Sequence, residues 1–339
     1  MLMFVPRVQR SAQSGLSLVE LLVAMALGVM LSGGAIGAYM ASKQQYLYDD
    51  QLARVQENGR YAVSLLQREL SMAGFYAGLV STTELGDGSV GVDCNSLGWA
   101  LHTQFPLDVV DNHRGSGVPT TQHSVPLTCV NGSRVVDGSD VIAVKRSAAE
   151  ASLSGGVPRA GLTLSRVSRW HMRLEPGAEP LWQQLRPADL PAVGVSNPAH
   201  AYWEARASVL YLRDYAQSPG DNLPTLCAEV LAGDAMTSRC FVEGVEDLQL
   251  EVGVDSDGDG VVNVYRMNPS AADLRAAVVV RAHLLLRSLH TVPGARLEKT
   301  YYLGSKEVRP GADGFLRRVF STTVRLQNLR SATYTLAVG

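Results

Sequence analysis

The sequence predicts an α+β fold, in which one long N-terminal helix precedes a domain of antiparallel strands and long loops. No proline occurs between Pro6 and Pro106, although the chain has 339 residues and 15 prolines. An apolar run that ends near Ala41 is followed by amphipathic sequence with apolar residues near helical spacing. Beyond about residue 139, short alternating runs bounded by turn residues are typical of strands. A helix followed by antiparallel strands indicates the α+β class.

The first part of this helix is long and apolar enough to span a membrane. Residues 16–41 contain one charged side chain, that of Glu20. At ~1.5 Å rise per residue, such a run can cross a hydrocarbon layer of ~30 Å. Arg7 and Arg10 precede it without any acid, which favours a cytoplasmic N-terminus.

The helix is predicted to continue to Ala73 as an amphipathic segment, because glycine commonly follows a helix end and Gly74 comes next. Its apolar positions recur at helical spacing: Leu52, Val55, Ala62, Leu65, Leu66 and Leu70. A helix that is half in lipid and half against a globular domain fits this pattern. Close helix packing and local loosening both remain open for the glycines of the apolar half: Gly33, Gly34 and Gly37.

The acid at the start of the apolar run is unusual for a membrane anchor. A charged carboxylate inside a membrane segment costs roughly 2.5–3.5 kcal/mol on insertion scales and is tolerated where it has a partner or a function. If the chain were cut after Gly15, Leu16 would gain a cationic α-amino group. Glu20 could then neutralise that amine on its own chain or on a neighbour, which would remove two charges from lipid together.

The residues from Gly15 through Glu20 to Leu22, with the sequence GLSLVELL, resemble the class III signal of type IV prepilins and of the pseudopilins of type II secretion. The resemblance implies that a prepilin peptidase cuts after Gly15 and methylates the amine of Leu16, and that Glu20 helps to dock the subunit. The family usually has Phe as its first mature residue, where this chain has Leu16. A secretory signal, in contrast, has a shorter apolar region that precedes its cleavage site.

With this resemblance, the chain divides into four predicted parts. Residues 1–15 are the leader peptide, 16–41 the transmembrane and assembly helix, and 42–74 its amphipathic continuation. Residues 75–339 form a periplasmic, pilin-like α+β domain. Its start, to about Gly138, is predicted to be loop-like, and Pro176–Pro198 to be an irregular excursion. The predicted strands are Asp140–Arg146, Gly161–Val167, Ala207–Arg213, Asp247–Val254, Ala277–Leu289 and Arg317–Gln327, with Ala277–Leu289 central in the sheet because it is so apolar.

The four cysteines all follow the membrane segment, on the side that would face an oxidising periplasm. They allow three pairings, and no C-x-x-C spacing of a zinc ribbon occurs. We predict the sequential pairing, Cys94 with Cys129 and Cys227 with Cys240, because each pair closes a local loop rich in turn residues. Buried free thiols are the alternative.

One acidic turn resembles the first half of a calcium-binding loop. The potential ligands are the side chains of Asp255, Asp257 and Asp259, the carbonyl of Val261 and the side chain of Asn263. The twelfth place is Arg266, where the complete loop has a bidentate glutamate. The pattern therefore leaves two interpretations open, a weak calcium site with a structural role and an Asp/Gly-rich turn between two strands. No other cofactor is indicated.

Composition and motifs do not indicate an enzyme or a nucleic-acid-binding protein. The net charge of −2 gives no basic field for nucleic acid. No G-x-S-x-G or H-E-x-x-H motif occurs, and the G-x-G-x-x-G match at residues 86–91 is predicted to be a flexible connection. The histidines are scattered. Those of the predicted loop region could meet in space, but they are expected at the surface: His102, His113 and His123.

Three late segments, Gly244–Leu250, Val278–Ser288 and Arg317–Val324, are similar in order and pattern to the PilW type of minor pilin. This resemblance implies a type IV pilus minor pilin in a tip complex that primes assembly. Its implied partners are other minor pilins, the major pilin, the prepilin peptidase and the inner-membrane assembly platform. It also implies a single-pass inner-membrane protein with a periplasmic domain that later enters the pilus.

Two other functions are compatible with the sequence. One is a J-type minor pseudopilin of type II secretion, which shares the anchor and the large domain. The other is a membrane-anchored periplasmic binding or adhesive module with a calcium-stabilised loop, which would keep its N-terminus and tolerate Glu20→Gln. An anchored hydrolase is not favoured, because the sequence offers no nucleophile–base constellation.

Overall fold

The structure is a computed structural model. It describes residues 15, 17–77, 79, 82–83, 85–86, 88–95, 98–155, 157–159, 169–185, 201–292, 295 and 298–329. Leu16, almost all of the predicted leader and the predicted strand Gly161–Val167 lie outside these residues. The chain forms two compact units, one that ends at Asp50 and one that begins at Gln51.

One long helix, α1, runs from Leu18 to Ser71. From Leu18 to Asp49 every residue is exposed, whereas the buried positions between Gln51 and Leu70 recur at helical spacing. The helix ends in a turn at Gly74, whose φ of +77° lies in the left-handed region that glycine adopts without strain. The helix predicted from Leu16 to Ala73 is therefore confirmed over Leu18–Ser71.

Besides the end of α1, the second unit consists mainly of antiparallel strands, with one short helix and one 3-10 turn among its described residues. Its first strands are β1 (Leu107–His113), β2 (Ser139–Ser147), β3 (Leu153–Ser154), β4 (Val157–Pro158), β5 (Arg169–Leu174), β6 (Leu181–Leu185), β7 (Ala201–Arg213), β8 (Thr225–Ala232) and β9 (Ala235–Glu243). The 3-10 turn is Gly132–Arg134. The later elements are β10 (Val245–Val254), β11 (Val264–Arg266), α2 (Ala271–Arg275), β12 (Ala277–Arg287), β13 (Tyr301–Leu303), β14 (Lys306–Val308) and β15 (Arg317–Arg325).

The described strands form two main sheets and a small hairpin, β13–β14. The larger sheet places the long strand β7 beside β2 and β8, with β1 and β9 outside them, and β7 also pairs with β3 and β5. The smaller sheet has the order β11–β10–β12–β15. Strand β12 is therefore central, as predicted from its apolar sequence.

The main core lies between residues 55–73 and both sheets. Leu66 and Leu70 of the helix are fully buried against strands that include β7, β10 and β12. Gly59 allows the ring of Phe320 on β15 to approach so closely that an added Cβ would lie 2.3 Å from it. A second core on the other side of the large sheet contains Trp99 and Tyr211. The α+β prediction is confirmed.

The structure corrects two local predictions. Residues 75–138 are not loop throughout, because β1 lies within them and pairs with β2. The excursion predicted at Pro176–Pro198 includes β6, which pairs with β5, while residues 186–198 lie outside the described chain. In both cases the local sequence favours a strand only weakly, and pairing with a neighbouring strand determines the structure.

Candidate functional site

The candidate site is the N-terminus of α1, where the chain leaves Gly15 and enters the helix. Gly15 is exposed and not helical. The backbone N–H of Ser17 donates to Oε2 of Glu20 at 3.0 Å, and the N–H of Glu20 donates to Oγ of Ser17 at 3.2 Å. This reciprocal pair is a capping box, which satisfies two backbone donors at a helix start. Glu20 therefore stabilises the first turn of the helix that carries it.

The sequence contains the signal for this cap. A Ser or Thr followed three residues later by an acid, just before an apolar run, is the signature of a capping box. Ser17-Leu18-Val19-Glu20 has that form. Ser17 is thus the residue that sequence reasoning missed at this site.

The helix beyond the cap has the properties of a membrane segment. Among the described helices, α1 alone is long and apolar enough to cross a membrane, and its most apolar 18-residue window is wholly exposed. Leu18, Leu22 and Met30 have 74%, 57% and 73% of their surface exposed. Apolar area on this scale requires a nonaqueous partner, which is either lipid or other helices.

The two disulfides have the sequential pairing that was predicted. Cys94 is bonded to Cys129, and Cys227 to Cys240. The second bond joins residues that face each other on β8 and β9. The first holds the 91–95 segment against the loop that follows β1, beside the second core.

The acidic turn between β10 and β11 brings its three carboxylates together. One oxygen from each of Asp255, Asp257 and Asp259 lies within 4.8 Å of the others. Asp255 also accepts hydrogen bonds from the N–H groups of Gly258 and Gly260, both at 2.7 Å. These bonds fix the turn, and both interpretations, a calcium site and an Asp/Gly-rich turn, are compatible with them.

The structure gives less support to the two remaining predicted ligands, Asn263 and Val261, than to the three aspartates. The side-chain oxygen of Asn263 accepts from the N–H of Ser256 at 2.6 Å, and its amide nitrogen donates to Asp257 at 3.3 Å. Val261 is exposed. Arg266 at the twelfth place is also exposed, on β11. Calcium binding by this loop stays a prediction.

The histidines of the loop region do not form a common site among the described contacts. His113 is buried, with Nε2 3.3 Å from the carbonyl of Gly132. His123 has 5% of its side chain exposed, stacks on Phe105, and lies 3.1 Å from a carboxylate oxygen of Asp108. The surface placement predicted for His113 and His123 is therefore wrong, because each packs as part of the interior.

One buried carboxylate connects the two sheets. Asp140 on β2 accepts hydrogen bonds from the backbone N–H of Asn112 at 2.8 Å and of Leu250, on β10, at 2.7 Å. Burial raises the pKa of Asp140 to about 7, and these two hydrogen bonds only partly oppose that shift. The group ties the sheets together and does not line a described cavity.

The comparisons with known proteins match both ends of the chain. Residues 211–328, from the end of β7 past β15, match the family model of the type IV pilus-assembly protein W, PilW. Residues 10–36 match the model of the prokaryotic N-terminal methylation motif. A search of curated proteins gave no match.

Among solved structures, a type IV-like pilin from Thermus thermophilus is similar at 13% identity, with a TM-score of 0.34. The similarity covers 83% of this chain and 96% of that one.

Proposed function

Because this chain is a type IV pilin-like protein of the PilW type, with the N-terminal methylation motif, we propose that it is a minor pilin that primes pilus assembly. It is made as an inner-membrane precursor with its 75–339 domain in the periplasm. Prepilin peptidase cuts it after Gly15 and methylates Leu16. It then joins other minor pilins and the major pilin near the fibre tip, through the assembly platform. It is the substrate of the peptidase and has no catalytic activity of its own.

The observation that carries this proposal is a lone carboxylate at the start of an exposed apolar helix. Glu20 has the only charged side chain in residues 17–42. The cap supplies one hydrogen bond to Oε2, and Oε1 has no hydrogen-bond partner among the described residues. One carboxylate oxygen is thus free, so a cation from elsewhere can still bind to it.

Cleavage after Gly15 would supply that cation without disrupting the cap. The amide between Leu16 and Ser17 survives the cut, so the N–H of Ser17 can still donate to Glu20. The new amine of Leu16 on a neighbouring subunit would then bind the free oxygen of Glu20. In a nonpolar surrounding, such neutralisation offsets the roughly 2.5–3.5 kcal/mol that the isolated acid costs. The pairing would therefore favour entry of the subunit next to an existing one.

The substitution Glu20→Gln isolates this charge, because glutamine keeps the capping box while it loses the negative charge. We expect normal cleavage of the precursor and a loss of about tenfold or more of the protein in sheared pili, measured by immunoblot. Glu57→Gln, which changes an exposed acid on the same helix, is the matched control and should assemble normally. Equal amounts of the Glu20→Gln and wild-type proteins in pili would contradict the proposal.

The PilW match over the late strands supports the pilus and not type II secretion, in which a J-type minor pseudopilin would use the same kind of anchor. The anchored binding module differs from both in a measurable way. It requires no cleavage and no charge at position 20, so it would retain residues 1–15 and tolerate Glu20→Gln.

A further inference from the structure

A groove of about 560 Å³ lies on the second unit, between the end of α1 and one face of the large sheet. The helix contributes Leu65, Arg68 and Glu69, and β7, β8 and β9 form much of the opposite wall. This volume is in the range of binding clefts.

The charges along this groove are predominantly positive. The described lining residues include five arginines and two glutamates, an excess of three positive charges: Arg68, Arg146, Arg169, Arg206 and Arg239, against Glu69 and Glu204. The whole chain, in contrast, has a net charge of −2. The groove is therefore a local positive site on a slightly acidic protein.

Only part of this positive charge is neutralised within the groove. Arg146 is buried and binds Glu69 through two nitrogens at 3.0–3.1 Å. Glu204 is shared by two arginines, with Arg169 at 2.6 Å and Arg206 at 3.5 Å. Arg239 is exposed and has no acidic partner among the described residues. Arg206 and Arg239 can therefore donate hydrogen bonds to a carboxylate of a bound partner without breaking a buried ion pair.

Apolar groups accompany the arginines. Val230 and Phe241 line the groove, are partly exposed and pack against the main core. Trp170 and Leu231, in contrast, pack against the second core, on the other side of the large sheet. Arginine and aromatic residues are both enriched at protein interfaces.

The groove also continues beyond this volume. A second cavity of about 260 Å³ shares Arg68, Arg146, Glu204 and Arg206 with it. A free inorganic anion would occupy one point in such a space, whereas an extended peptide could place successive side chains along it. Val92 bridges the start of β9 at Ala235. Further along, at Arg239, β9 pairs only with β8 among the described strands, so a partner chain has access to this part of the sheet edge.

We propose that this groove binds an acidic segment of a partner protein, with carboxylates on Arg206 and Arg239 and an apolar side chain against Phe241. The inference goes beyond the function proposed above, because neither the cleavage site nor the apolar helix takes part in it. The segment is recognised by charge and by its apolar side chains.

The test uses the full chain in detergent micelles and a fluorescein-labelled peptide of alternating Glu and Leu residues. Fluorescence polarisation should show binding that weakens as salt rises, and a peptide with Gln in place of Glu should not bind. The double variant Arg206→Gln/Arg239→Gln should bind the acidic peptide about tenfold more weakly or worse. Glu204 keeps Arg169 in this variant, so the fold should be retained, which a thermal melt checks.

The matched control is Arg266→Gln/Arg318→Gln, which removes two exposed arginines outside the groove and should bind like wild type. Equal binding of the Glu and Gln peptides, or equal weakening in both double variants, would overturn the inference. So would displacement of the peptide by millimolar inorganic phosphate, which would indicate a small-anion site, or self-association lost in the groove variant, which would indicate a second copy. The assay requires no pilus assembly, so its failure leaves the minor-pilin proposal intact.

Discussion

The two parts of α1 belong to one continuous helix but have opposite environments. In residues 18–49 every residue is exposed, although most are apolar. In residues 51–71 the apolar side chains of Val55, Leu66 and Leu70 are buried against the chain's own sheets, whereas the charged Arg54 and Glu57 are exposed. Hydropathy alone would have ranked the first part as the better core helix. Periodicity, and not total hydrophobicity, therefore decides which part of the helix the protein buries within itself.

The glycines show the same difference. An added Cβ at Gly33, Gly34 or Gly37 would meet nothing within 4 Å, whereas one at Gly59 would meet the ring of Phe320. The helix is continuous through the first three glycines. Glycine is thus required by packing in the second part, and in the first part it is available for contacts outside the chain.

The largest difference between the two parts of α1 is expected when one leucine in each is truncated to alanine. Leu66→Ala should lower the free energy of unfolding of the second unit by about 2–5 kcal/mol, because Leu66 is fully buried. Leu27→Ala, at a leucine that is 55% exposed, should leave it unchanged. Urea unfolding of the full chain in detergent measures this, since all four tryptophans that report on it lie in the second unit. Similar losses in the two variants would break the distinction.

A second effect should come from the buried acid of the second unit. The pKa of Asp140 is about 7 in the folded chain, above the unfolded value of 3.8. The folded state therefore binds this proton more tightly, and its stability should fall by about 3 kcal/mol as the pH rises from about 4 to 7. Asp140→Asn should remove the slope, whereas Asp49→Asn in the exposed part of α1 should retain it. A flat stability profile for the wild type would contradict this assignment.

A smaller effect is expected from the glycines. Gly59→Ala should destabilise the second unit by about 1–3 kcal/mol, since the Phe320 ring must move to admit the methyl group. The same substitution in a Phe320→Ala background should be nearly neutral, so a double-mutant cycle isolates the contact. Gly34→Ala is the control in the first part and should not destabilise the second unit. A Gly59→Ala variant as stable as wild type would mean that the ring relaxes freely.

The smallest effect concerns the acidic turn. If Asp255, Asp257 and Asp259 bind calcium with the weak affinity of an incomplete loop, millimolar calcium should stabilise the chain by about 0.5–1.5 kcal/mol. The same concentration of magnesium should do less. Thermal melts of wild type and Asp257→Asn/Asp259→Asn would measure it. Identical melts with and without calcium would favour the Asp/Gly-rich turn.

The sequence predicted those elements whose local pattern agrees with their final environment. Strand β12 is apolar along its length and lies centrally in its sheet, and the amphipathic part of α1 packs by the face that its spacing predicts. Strand β1 was missed because its sequence, LDVVDNH, includes a buried Asp108 whose carboxylate pairs with the distant His123. Such a pairing has no local signal.

The candidate site and the arginine groove differ in the same way in how far the sequence predicts them. Gly15 and Glu20 can be identified from the sequence because the motif is contiguous, and the Ser17 cap lies within the same six residues. The arginine groove could not be predicted, since its charges come from α1, β2, β5, β7 and β9. Only the folded sheet brings those residues together.

The most direct test of the central claim is the mass of the N-terminal peptide of this protein, purified from its native host. We expect a mature chain that begins at Leu16 and carries one added methyl group, with residues 1–15 removed. A chain that retains Met1–Gly15, or that is cut within the apolar helix, would contradict it, because Glu20 would then have no new amine to bind.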